Sequence, residues 1–144
     1  MKRHEAIAPL SRDHHATLLL AQLLKNDAPV YKGLPAKPHD KARYALEQFE
    51  THIRKHFQLE EMMLEKVKDV HPSIKILAEE IEAEHRELTA LFQSLGTAND
   101  AEIIMNELAV KLEAHIRKEE RVLFPMLQGQ CSEAVLAEIY ELLH

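Results

Sequence analysis

Two stretches of the sequence place a histidine and a glutamate four residues apart, a spacing that stacks both side chains on one face of a helix. His56 and Glu60 lie in "HFQLEEMML", and His115 and Glu119 repeat the spacing in "HIRKEERVLFPML". Neutral imidazole and ionised carboxylate are both metal ligands, and a helix presents such a pair to one point. The two pairs therefore indicate a metal site to which more than one helix contributes.

The elements that position these pairs are expected to be helices. The chain has 144 residues but only 3 glycines, and its long stretches are rich in Ala, Leu, Glu and Lys. Turn-forming residues divide it into helices over about residues 11–25, 40–70, 73–95 and 100–125, with Ser11 as the first N-cap, and a shorter helix follows Ser132. This pattern predicts an all-α, up-down-up-down four-helix bundle with a short C-terminal helix. The length predicts one domain over residues 1–144, with the metal-binding bundle at about residues 10–128.

Each predicted helix carries an apolar stripe at steps of three and four, and histidine interrupts every stripe. The stripes are Ile7, Leu10, His14, Leu18 and Ala21; Ala45, Phe49, His52, His56, Glu60, Met63 and Val67; Ile74, Leu77, Ile81, His85, Leu88, Phe92 and Leu95; and Leu108, Leu112, His115, Glu119 and Val122. A buried glutamate is costly without a partner, and neither lysine nor arginine lies on these stripes. A cation is therefore the expected partner of Glu60 and Glu119.

The candidate ligands are four imidazoles and two carboxylates: His14, His56, Glu60, His85, His115 and Glu119. Six ligands exceed one tetrahedral zinc site, whereas two metal ions bridged by the carboxylates would use them all and leave an open position for a small ligand. Mixed nitrogen and oxygen donors favour iron, with manganese or zinc as alternatives. His15 is the alternative to His14. His52, one turn before His56, is interpreted as an additional ligand, a hydrogen-bond partner of the centre, or core.

Four segments carry a family resemblance when they are taken together and in order. They are "LSRDHHATL", "HFQLEE", "EAEHREL" and "HIRKEERVLFP". Across most of its length the chain resembles the hemerythrin-like (HHE cation-binding) domains of the bacterial type. The resemblance implies a four-helix bundle with a non-haem di-iron centre that reversibly binds dioxygen or a related small molecule, and the family's iron ligands fall on the six residues above. The oxygen carriers have a second histidine one turn from His85, where this chain has Ile81 and Thr89.

These features predict a protein that binds or senses dioxygen or nitric oxide at a carboxylate-bridged di-iron centre. The alternatives are a di-iron redox or iron-centre repair enzyme, and a structural or storage metal-binding protein. A binding protein is favoured over a classical enzyme because His52, Glu61 and Glu120 are the only candidate proton donors, and both glutamates are expected to face solvent. The net charge of -6 argues against nucleic acid as a partner, and no apolar run is long enough for a membrane span. The N-terminal segment does not resemble a secretory signal, so the chain is expected to be cytoplasmic, and the single cysteine, Cys131, fits a reducing compartment.

Overall fold

The computed structural model describes residues 2–97 and 99–144, and that part of the chain is helical, without a strand. Its α-helices are α1 (Ala8–Leu24), α2 (Pro38–Gln48), α3 (Arg54–Val67), α4 (Pro72–Ser94), α5 (Ala101–Lys118), α6 (Phe124–Gln130) and α7 (Glu133–Leu143). Two π-helical turns, Phe49–Ile53 and Glu119–Leu123, join α2 to α3 and α5 to α6. The all-α prediction is confirmed. No helix within the described ranges combines the length and the apolar character that crossing a membrane requires.

The helix ends follow local signals, with one correction to the sequence prediction. Ser132 caps α7, because its side chain accepts a hydrogen bond from a backbone N–H of the first turn. Ser11 is not the N-cap of α1. That helix begins at Ala8, with Pro9 in the first turn, where its missing N–H costs no hydrogen bond. The Ser11 hydroxyl instead donates to the carboxylate of Glu120.

The second π turn changes the predicted course of the fourth long helix. The helical path does not stop at Pro125, since α6 begins directly after the π turn and holds Pro125 in its own first turn. The π turn also moves the inward face by one position, because it adds a residue to the helical turn. Val122, predicted to point inward, is 45% exposed, whereas Leu123 is fully buried.

The core consists of two apolar clusters, and the candidate ligands separate them. One cluster is built around Phe49, Phe57 and Phe92, and the other contains Ile81 and Phe124. Along each long helical segment one cluster precedes the buried histidines and glutamates and the other follows them, except that Phe57 and Ile116 of the first cluster lie between the histidine and the glutamate of their segments. The helices therefore position a polar layer across the middle of an apolar interior.

Candidate metal centre

The six candidate ligands are the buried polar or charged side chains of the described residues, and no other polar or charged side chain there is buried. Both glutamates are 0% exposed, and the most exposed of the six, His56, is only 8% exposed. Helices α1, α4 and α5 each supply one histidine, α3 supplies a histidine and a glutamate, and the last glutamate opens the second π turn. Four helical segments thus converge on one polar layer.

The six side chains form two overlapping groups. The groups are His14, His56, Glu60 and Glu119, and Glu60, His85, His115 and Glu119. In each group one ligand atom from every residue lies within 4.8 Å of the others. Each group has two imidazoles of its own, while both carboxylates belong to both groups. Such an arrangement has the donor set for two metal ions that share the two carboxylates.

Most of the polar atoms that face one another in this layer lack a hydrogen bond. The unpartnered atoms are Nε2 of His14, His56 and His115, Oε2 of Glu60 and both carboxylate oxygens of Glu119. Nε2 of His14 lies 3.1 Å from Oε1 of Glu119, and Nε2 of His115 lies 3.5 Å from the same oxygen, yet neither contact is aligned as a hydrogen bond. A buried polar atom without a partner is costly, so this donor set fits a cation better than it fits hydrogen bonding within the protein.

A different carboxylate holds each imidazole at its Nδ1 atom, on the side away from the centre. The pairs are His14 with Glu120 at 2.9 Å, His56 with Asp13 at 3.0 Å, His85 with Glu61 at 3.0 Å, and His115 with Glu84 at 2.7 Å. An ionised carboxylate only accepts hydrogen bonds, so Nδ1 carries a proton in each pair, and when a ring is neutral its Nε2 lone pair faces the centre. Nε2 of His85 also donates to Oε1 of Glu60 at 3.0 Å. These contacts fix the tautomer and the ring orientation that metal ligation requires.

Sequence reasoning missed these four carboxylates as parts of the site. Glu61 and Glu120, expected to face solvent, are partly buried and engaged with histidines. A signal was nevertheless present in the sequence. Each of the four directly adjoins a candidate ligand in the chain, as Asp13 adjoins His14 and Glu84 adjoins His85. Because neighbouring side chains on a helix point about 100° apart, each carboxylate reaches the histidine of an adjacent helix rather than its own neighbour.

The two additional histidine candidates both lie outside the polar layer. His14 is buried and His15 is exposed, so the structure brings His14 to the centre. The prediction that His52 points inward is wrong. His52 is exposed, because the first π turn gives the inward position to Ile53.

The two central carboxylates have different proton affinities. Burial disfavours ionisation of Glu60, but the charge of His56 and the polar contacts of Glu60, among them the hydrogen bond from His85, outweigh it and hold the pKa of Glu60 well below its usual range. Burial, and then the charge of Glu60, raise the pKa of Glu119 to about 7. Burial also disfavours charged imidazoles, yet the carboxylates of Glu119 and Glu120 raise the pKa of His14 to about 9, and the charge of Glu60 helps to raise the pKa of His56 to about 10. Two adjacent buried carboxylates ionise together only where positive charge faces them.

The comparison with protein families agrees with this geometry. The sequence profile described as "Hemerythrin HHE cation binding domain" matches residues 5–127, with an overlapping second match over residues 76–144. The chain belongs to the hemerythrin HHE cation-binding family. All six residues of the polar layer in this hemerythrin-like chain lie within the first match. Comparison with the curated proteins and with the solved structures gives no significant match.

Proposed function

We propose that the six side chains bind two iron ions and that this centre binds dioxygen or nitric oxide. The observation that carries the proposal is the sharing of Glu60 and Glu119 by two ligand groups, each with its own pair of imidazoles. Two cations bridged by two carboxylates would use every ligand, and the mixed nitrogen and oxygen donors suit iron. Iron bound there would supply the electrons and the open coordination position that a diatomic ligand needs.

The protein's own part is to hold the ligands and to keep water away. Phe57 stacks on His85 with ring centroids 4.1 Å apart, and Phe124 stacks on His14 at 5.7 Å. The apolar clusters lie on both sides of the polar layer. Exclusion of water strengthens the electrostatic interactions of a centre and limits side reactions of a bound small molecule.

Binding or sensing fits these surroundings better than redox or repair catalysis does. A catalyst needs a proton donor within reach of the open position. The four carboxylates next to the centre are each engaged with an imidazole Nδ1, and His52 is exposed. Among the described residues, the buried titratable side chains are the six candidate ligands and the thiol of Cys131, which belongs to an apolar cluster.

Metal analysis combined with absorption spectroscopy tests this function. Protein purified without oxygen should contain close to two irons per chain, and its absorption should change on exposure to air and revert when oxygen is removed. A Glu119→Gln variant serves as the control and should show neither property. Stoichiometric zinc without a spectral change would instead support a structural or storage site, and sustained consumption of peroxide or nitric oxide would support an enzyme.

We also infer the bundle topology and the domain organisation that the sequence predicts. The order of the two apolar clusters reverses from each long helical segment to the next, which supports an up-down-up-down arrangement of α1, α2–α3, α4 and α5–α6. One hemerythrin-like domain over residues 1–144 accords with matches that extend from residue 5 to residue 144. The cytoplasmic location stays a prediction, which cell fractionation tests.

A further inference from the structure

A cavity of about 510 Å³ opens between α1 and the segment that runs from α2 through the first π turn into α3. Helix α1 packs closely on α5 but touches α2 and α3 far less, which leaves this space. The π turn contributes Thr51, His52 and Ile53 to its wall. The volume is within the range of about 300–1,000 Å³ that is usual for small-molecule sites.

The inner wall of the cavity is apolar. Leu20, Leu23 and Ile53 line it and are at most 5% exposed, so they form a fixed surface. Leu19 lies at the edge and is 48% exposed, although it is a large hydrophobic side chain. An apolar body entering the cavity would cover Leu19 and remove it from water, which favours binding.

The rim of the cavity is cationic. Arg12 and Lys55 line it, both are exposed, and neither has an ion pair or hydrogen bond within the described ranges. Asp13 is the acidic side chain of the described lining, and it already pairs with His56. The whole chain has 24 acidic and 18 basic residues, so it is acidic overall. The rim differs from that average, because within the described part of the chain Arg12 and Lys55 are unpaired there while Asp13 is already paired with a histidine. Such a rim attracts an anionic group.

We propose that this cavity binds a small organic anion, with its apolar body against the leucines and its acid group at Arg12 and Lys55. The exposed imidazole of His52 lies on the same lining and can donate a further hydrogen bond to the acid group. His56 and Asp13 belong to the same wall, so the bound molecule would lie beside one ligand of the candidate metal centre. Apart from His56, this lining contains none of the six candidate ligands, and the proposal does not depend on which metal the centre holds.

A charge-matched pair of fluorescent probes tests the proposal on the purified protein. The anionic probe is 8-anilinonaphthalene-1-sulfonate, whose sulfonate is a weak metal ligand, and the neutral probe is N-phenyl-1-naphthylamine, which lacks the sulfonate. The anionic probe should bind with one site per chain and more tightly than the neutral probe. Ala16→Trp, which fills the cavity from an exposed position on α1, should abolish binding of both probes.

Rim variants separate the charge effect from the apolar effect. Arg12→Gln and Lys55→Gln should each weaken the anionic probe about two- to five-fold, as expected for an exposed charge, and leave the neutral probe unchanged. Lys75→Gln is the matched control, since Lys75 is exposed and lies outside this lining. Equal binding of the two probes, binding that survives Ala16→Trp in a variant with an unchanged melting temperature, or rim variants no different from Lys75→Gln would each overturn the proposal.

Discussion

At the scale of single residues, four carboxylates and four imidazoles form a closed ring around the candidate centre. The contacts run from Asp13 of α1 to His56 of α3, from Glu61 of α3 to His85 of α4, from Glu84 of α4 to His115 of α5, and from Glu120 after α5 to His14 of α1. Every long helical segment contributes one carboxylate to the histidine of one neighbouring segment, and its own histidine contacts a carboxylate of another. A displaced helix therefore disturbs two imidazoles, and the ring couples helix packing to ligand orientation.

The contribution of this ring to metal affinity is measurable at Glu84. Its carboxylate holds Nδ1 of His115 and also contacts Lys118, and these partners outweigh burial and lower the pKa of Glu84 to about 2. Glu84→Gln should keep the hydrogen bond but lose the charge, which makes His115 a weaker ligand and lowers metal affinity about 10- to 100-fold. Competition with a chelator measures the change. Glu80→Gln is the matched control, because Glu80 also forms an ion pair with Lys118, at 3.7 Å, but does not contact His115.

The choice between the two adjacent histidines of α1 gives a second prediction. His14→Ala should remove most of the bound metal, because it deletes a buried ligand, whereas His15→Ala changes an exposed side chain and should leave metal content unchanged. Elemental analysis of both variants decides between them. Equal metal loss in the two variants, or the reverse order, would exclude His14 as the ligand.

The two carboxylates common to both ligand groups, Glu60 and Glu119, should differ in metal-free protein although both are candidate ligands. Glu119 keeps its proton up to about pH 7, so Glu119→Gln resembles the native side chain and should change the free energy of unfolding by less than about 1 kcal/mol at lower pH. Glu60 is ionised and faces charged His56, so Glu60→Gln removes the buried counter-charge and leaves that imidazole with the more exposed Asp13 alone, which should cost clearly more than Glu119→Gln does. Urea denaturation of chelator-treated protein measures both. Equal losses would show that the proton does not reside on Glu119.

At the scale of elements, the two π turns decide which residues face inward. Buried residues follow one another at steps of four through both turns, as Ala45, Phe49, Ile53 and Phe57 in one and as His115, Glu119, Leu123 and Leu127 in the other. In a regular α-helix three such steps drift about 120° from the starting face. The wider π turn absorbs part of this drift and keeps all four residues inside.

Much of the element pattern could be predicted from the sequence, and the π turns explain what could not. The stripes of α1 and α4 are regular, so spacing alone brings His14 and His85 to the interior with their apolar neighbours. A strict period of 3.6 also assigns His52 and Val122 to the interior, where the structure has Ile53 and Leu123 instead. A π turn is defined by backbone hydrogen bonds between residues five apart, and its only trace in the sequence is the spacing of apolar residues at repeated steps of four. The four carboxylates at the histidine Nδ1 atoms were not predicted as part of the site, because their partners lie on other helices.

Removal of one residue from the first π turn tests its role. Deletion of Thr51, which is exposed, should convert the turn to regular α-helix and rotate α2 against α3. Phe49 would then lose its stacking on Phe92, now at 4.8 Å, and we expect a loss of about 3 kcal/mol in the free energy of unfolding. Helix content by circular dichroism should stay unchanged. Deletion of Val30, 81% exposed in the loop before α2, is the control and should cost far less.

At the scale of the whole molecule, the polar layer is the part of the interior that lowers the stability of the metal-free fold. The layer between the two apolar clusters holds six ionisable side chains and several buried atoms without hydrogen bonds. Without a cation, a proton on Glu119 and positive charge on the imidazoles have to offset the two carboxylates, and the unpartnered atoms stay unsatisfied. Metal binding and folding are therefore expected to be coupled across the entire bundle.

Metal removal gives the prediction at this scale. A ligand that binds the folded chain alone stabilises it by about 2.7 kcal/mol when its free concentration is a hundred times its dissociation constant. The melting temperature should therefore fall on chelation and rise again with added ferrous iron until the centre is full. Glu119→Gln, which keeps a folded metal-free form but lacks a shared ligand, should melt at one temperature regardless of iron. If the native protein melts at the same temperature with and without metal, the polar layer is satisfied by protons alone and the six side chains do not form a metal centre.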